Sequence, residues 1–68
     1  MKLKVELEHE EDGRWIAEVK ELAGVMSYGA TREEALARVE VLALRVIADR
    51  IEHGEAIPEV AEAFTVAA

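Results

Sequence analysis

The chain contains no cysteine, which removes disulfides, thiol nucleophiles and cysteine-ligated zinc from its chemistry. Proline occurs once and each of Trp, Tyr and Phe once, so no aromatic platform for stacking nucleic-acid bases is present. Cations are few. Eight Lys and Arg stand against fifteen Asp and Glu, a net charge of −7, which argues against binding a phosphate backbone and suits a basic protein partner. No apolar run approaches the roughly 18 residues of a membrane span, and the N-terminal MKLKVELE alternates instead of forming a signal-like apolar block. These absences leave a cytoplasmic, non-membrane protein as the expectation. With 68 residues the chain reads as a single domain, 1–68, near the lower limit for folding alone, since so short a chain buries only about 60% of its unfolded surface.

The stretch Thr31 to Gly54, TREEALARVEVLALRVIADRIEHG, organises the rest. Thr31 followed three residues later by Glu34 is a capping box, in which the hydroxyl accepts a backbone N–H and the carboxylate returns to the Thr31 N–H. A helix is predicted from Arg32, stopped at His53-Gly54 by a glycine able to adopt the left-handed conformation. Around this helix Ala35, Leu36, Val39, Leu42, Ala43, Val46 and Ile47 form one broad apolar face, suited to lie on a sheet. A second stripe, Ala37, Val41, Leu44, Ala48 and Ile51, lies nearly opposite at spacing i, i+4, i+7, i+11, i+14. Leaving such side chains in water forgoes roughly 1.5–3 kcal/mol each. Val41, Leu44, Ala48 and Ile51 are therefore the expected contact of a homo-oligomer, a dimer or tetramer; the alternative cover is the chain's own C-terminal tail. Glu34, Arg38, Arg45, Asp49 and Glu52 make a narrow charged edge between the stripes.

Upstream, Lys2 to Glu10 alternates strictly, with Leu3, Val5 and Leu7 inward and Lys2, Lys4, Glu6 and Glu8 outward, the period of a half-buried strand. Arg14 to Lys20 reads as its hairpin partner, with Trp15, Ala17 and Val19 inward. Residues directly opposite each other share a side of the sheet, so a two-residue turn would set Leu7 against Glu18 and mix the faces. A three-residue loop, Glu11-Asp12-Gly13, instead sets Leu7 opposite Ala17, His9 opposite Trp15, Glu6 opposite Glu18 and Glu8 opposite Ile16, with Gly13 left-handed. Val25 to Tyr28 reads as a short third strand. Glu55 to Glu59 is expected to be extended, since Pro58 biases Ile57 away from the helical region. Ala63 to Ala67 reads as a fourth strand, with Val60 to Ala63 equally able to form one helical turn. The expected fold is α+β, a two-layer β-β-β-α-β domain with one long helix packed on an antiparallel sheet.

Four spaced segments, Asp12 to Val19, Glu21 to Val25, Tyr28 to Ala35 and Gly54 to Pro58, resemble the HicB-like antitoxin domain, whose members read DG, an aromatic, VAEVPELPG, G-x-T-x-EEA, a long helix and GE-x-IP. The resemblance spans roughly residues 3 to 60. Lys20 and Ala23 stand where that family has prolines, which removes the stiffness two prolines lend a turn. The resemblance implies a partial RNase H-like fold and an antitoxin role, binding and neutralising a small basic HicA-like, RNA-cleaving toxin. Complete members often carry a C-terminal DNA-binding module, whereas the sequence here stops at Ala68, so a standalone domain with no direct DNA binding is the expectation.

The outward Glu6, Glu8 and Glu18, with Ile16 as an apolar contact among them, are the candidate partner-binding residues; the bland reading is a solvated sheet face. No catalytic residue is expected. The histidines, His9 and His53, fall on different elements, three-ligand metal spacing is missing, and the carboxylates lack the apolar walls that shift a pKa. No metal and no cofactor are expected, and the protein is not read as an enzyme. Lys2, Lys4 and Lys20 gather at one end of the outer face, where edge charges ordinarily discourage aggregation. Two functions remain: a toxin-neutralising interaction module, or a self-associating structural domain with no toxin.

Overall fold

The computed structural model describes residues 2–67. Three short strands, β1 (Glu6–His9), β2 (Trp15–Glu18) and β3 (Met26–Gly29), form an antiparallel sheet in the order β1-β2-β3, followed by the long helix α1 (Arg32–Glu52) and a single turn α2 (Pro58–Ala61). This is the α+β arrangement of a helix on a sheet. The hairpin register is the one that keeps apolar residues on one face: Glu6 opposite Glu18, Leu7 opposite Ala17, Glu8 opposite Ile16 and His9 opposite Trp15. A three-residue loop closes it, with the Glu10 N–H donating to the Arg14 carbonyl at 2.8 Å and Gly13 at φ 91°. Asp12 tightens the loop by accepting from the Arg14 backbone N–H at 3.0 Å and from its Nε at 2.7 Å.

The ladders are shorter than the alternation alone predicts. After Val19, whose N–H donates to Val25 at 3.0 Å, the chain turns back on itself through Leu22 and Gly24, the latter at φ 79°. Buried Leu22 plugs this loop from within. Opposite the loop no strand remains for residues 2–5 to pair with, and the Lys4 N–H donates to the Glu21 carboxylate at 2.9 Å instead. Exposure nevertheless keeps alternating there: Lys2, Lys4, Glu6 and Glu8 are exposed while Leu3, Val5 and Leu7 are half-buried.

The ends of α1 are set by local chemistry. Thr31 has extended backbone angles and its hydroxyl accepts from the Glu34 N–H at 3.1 Å. The returning half of the capping box is displaced by one residue: the Glu34 carboxylate lies 3.4 Å from the Ala30 N–H and pairs with Arg38 at 2.9 Å. At the far end the Glu55 N–H donates to Arg50 and the Gly54 N–H to Ile51, with Gly54 at φ 82°, the paired bonds of a Schellman stop. Asp49 lies 3.5 Å from His53.

The core is the inner face of the sheet against one side of α1. Ala17, Val19, Leu22 and Val25 meet Ala35, Val39, Ala43 and Ile47, with Ile57 and Val60 closing one end. Each fully buried Val or Ile contributes roughly 1.5–3 kcal/mol. Helix and sheet come closest at Gly29, where an added Cβ would lie 2.9 Å from the Ala35 Cα and from the Glu34 carbonyl carbon. Only a hydrogen fits there.

The fourth strand expected over Ala63 to Ala67 is not formed among the described residues, so the order is β-β-β-α-α. The extended segment expected over Glu55 to Glu59 ends at Ile57: Pro58 and Glu59 belong to the first turn of α2, where the missing proline N–H costs nothing, and the turn drives Ile57 and Val60 into the core. The tail beyond it is left without a strand to join. Phe64 is 75% and Val66 92% exposed. The tail therefore does not cover the second stripe of α1. With a Cα radius of gyration of 13.9 Å, the chain is more extended than the about 11 Å of a compact domain of its length. Among the described residues no helix is long and apolar enough to cross a membrane.

Candidate protein-interaction site

On the side of the sheet away from α1, the register assembles two rows. Glu6, Glu18 and Met26 stand side by side, and next to them Glu8, Ile16 and Tyr28. The four residues expected to bind a partner, Glu6, Glu8, Ile16 and Glu18, thus share one face and line a shallow depression closed by Lys20. The pairing that fixes Leu7 on Ala17 inside necessarily sets Glu6 on Glu18 outside. Like charges directly opposite each other destabilise a sheet, and Lys20 relieves the pair, its ammonium 3.0 Å from Glu6. The hydrogen bond to Glu6, its charge, and the charges of Glu18 and Glu8 hold the Lys20 ammonium above its ordinary pKa although the side chain is exposed.

Two side chains that the sequence reading did not assign extend this face. Met26 and Tyr28 are 46% and 41% exposed, and with Ile16 they make an apolar strip beside the carboxylates. Arg14 lies 4.4 Å over the Tyr28 ring, a cation–π contact that keeps its guanidinium at one end of the strip. The alternation Met26/Tyr28 is visible in the sequence. That β3 lies beside β2, bringing that strip to Ile16, is a fact of topology. Arg14 also holds the Asp12 carboxyl below its usual range, first through its backbone N–H and then through its side chain.

The second candidate surface lies on α1. Ala37, Val41, Leu44, Ala48 and Ile51 are all exposed, Leu44 at 58%. The stripe runs on at Ile51 into an apolar groove lined by Ala56, Ile57, Pro58, Val60 and Phe64. The acidic face and the helix stripe are separate surfaces.

The histidines are used locally. His9 stacks on Trp15 with ring centroids 4.5 Å apart and planes 8° from parallel, and His53 Nδ1 lies 2.7 Å from the Asp49 carbonyl oxygen at the end of α1. Among the described residues no three His, Asp or Glu side chains gather as a metal site requires. No family model, no curated protein and no solved structure matches the chain. Its functional reading rests on the geometry of these surfaces.

Proposed function

We propose that this chain is a HicB-like antitoxin-type interaction module, acting in the cytoplasm, whose outer sheet face binds and neutralises a small basic RNA-cleaving toxin. The observation that carries the reading is Lys20: the face formed by Glu6, Glu8 and Glu18 already holds one ammonium group and raises its pKa. A partner presenting Lys or Arg at that spacing meets the same field, with Ile16, Met26 and Tyr28 as the apolar centre of the contact. The motif resemblance from Asp12 through Pro58 supports the same partner class.

Charge reversal at Glu6, Glu8 and Glu18 tests it against a HicA-type toxin by calorimetry and by relief of RNA cleavage. Binding is expected to be lost in the triple Glu→Lys variant and kept in Leu44→Glu. Equal affinity of the triple variant and the unaltered protein would remove the acidic face from the mechanism. A second reading has its own observation. Val41, Leu44 and Ile51 remain about half exposed, with no segment over them among the described residues, which favours a self-associating domain that pairs through this stripe.

A further inference from the structure

The two edges of the sheet differ. On β3 the Val19 N–H donates to Val25, so by strand alternation the Tyr28 carbonyl points away from β2, and the Arg38 guanidinium donates to it at 3.0 Å. One acceptor of that edge is thereby taken. On β1 the Glu10 N–H donates to Arg14 and the Lys4 N–H to Glu21, both toward the β2 side. Alternation then directs the N–H and C=O groups of Leu3, Val5, Leu7 and His9 to the open edge. Beneath it α1 gives little cover, since it lies mainly under β3 and β2, and Leu3, Val5 and Leu7 stay half-buried.

We propose that this edge pairs with the same edge of a second copy, antiparallel and centred on Val5, making one continuous sheet across a two-fold axis. The charges select the register. With odd residues facing outward, pairing must set odd against odd. Centred on Val5, it sets Lys4 against the second copy's Glu6 and Lys2 against its Glu8, with Val5 on Val5 and Leu3 on Leu7 on the inner face. A slip of one step either way places Lys4 against Lys4 or Glu6 against Glu6. Opposed charges stabilise cross-strand pairs and like charges destabilise them, so the pattern K-x-K-x-E-x-E favours the Val5-centred register, which has no like-charge pair, over its neighbours, which each carry one. Edge charges ordinarily block pairing altogether; here they disfavour the neighbouring registers. The pairing adds about six backbone hydrogen bonds and covers the three half-buried apolar side chains with their own copies, an isologous contact.

The test uses exposed positions. The unaltered protein is expected to sediment as a dimer. Lys2→Glu/Lys4→Glu and Glu6→Lys/Glu8→Lys are each expected to be monomeric, and their equimolar mixture to recover the dimer mass. Because the chain has no native cysteine, Lys4→Cys mixed with Glu6→Cys should form a disulfide dimer that neither forms alone, a readout independent of how the charge variants fold. A monomeric unaltered protein at millimolar concentration overturns the proposal, as does a dimer that both charge variants retain or one that only Leu44→Glu dissolves. The toxin reading fails separately: the lysine-reversed variant keeps Glu6, Glu8 and Glu18 and is expected to bind a basic partner at least as well as the unaltered protein.

Discussion

The helix α1 carries two apolar stripes of similar composition with opposite fates. Ala35, Val39, Ala43 and Ile47 are buried against the sheet, whereas Val41, Leu44, Ala48 and Ile51 face solvent. The side chains do not explain the difference, because Val, Ile and Ala occur in both. Position does: the buried set continues the side from which the chain leaves β3 at Gly29, where helix and strand touch backbone to backbone. The exposed set has neither a strand nor the tail over it. An apolar stripe on a helix identifies a surface that gains from being covered, and the neighbour decides whether it is.

The largest effect should come from the buried side. Ile47→Ala is expected to lower the unfolding free energy by about 2–4 kcal/mol through lost transfer and a residual cavity, measured by urea denaturation. Next comes the contact that orients the helix. Gly29→Ala should cost about 1–3 kcal/mol, because α1 must lift from β3 to admit a methyl group; stability equal to the unaltered protein would contradict the close approach. Thr31→Ala should cost about 1 kcal/mol by exposing the Glu34 N–H. On the exposed side Leu44→Ala should change stability by no more than about 0.5 kcal/mol at low protein concentration. A cost that grows with concentration would instead mark the stripe as a contact between copies.

The smallest effects are ionic and lie on exposed groups. The Asp12 carboxyl is held below its usual pKa by Arg14. Its stabilisation is thus complete above the ordinary carboxylate range and disappears as pH falls through the lowered value. Lys20 is the converse. Raised by Glu6, it contributes fully below the ordinary lysine range and ceases to contribute as pH rises through the elevated value. Carboxyl and ammonium chemical shifts followed through acid and alkaline titration check both signs, and Glu6→Gln should return Lys20 toward its ordinary value.

Much of this molecule was legible before any coordinates. The hairpin register followed from two local facts: a period-two pattern that tolerates one facing of Leu7 and Ala17, and a glycine placed for a three-residue loop. The limits of α1 followed from Thr31 and Gly54, whose roles need only the residues beside them. The placement of Glu6, Glu8, Ile16 and Glu18 on one face came with the register. The details that went astray are non-local. Glu34 turns to Ala30 and Arg38 instead of Thr31, because Arg38 is drawn to the Tyr28 carbonyl across the β3 edge. The C-terminal segment ends in a helical turn instead of a fourth strand, because Ile57 and Val60 find the core before Phe64 and Val66 find an edge.

The sequence by itself determined the hairpin, the long helix and the inward face of each, since turn chemistry, capping and hydrophobic period act over a few bonds. Tertiary structure alone decided that Met26 and Tyr28 join Ile16 on the acidic face. It also decided that Gly29 must lack a side chain, that Arg38 takes the Tyr28 carbonyl on the β3 edge while the β1 edge stays open, and that the second helix stripe is left exposed among the described residues. Each of these depends on which element lies beside which, and that is settled by packing between residues far apart in the chain.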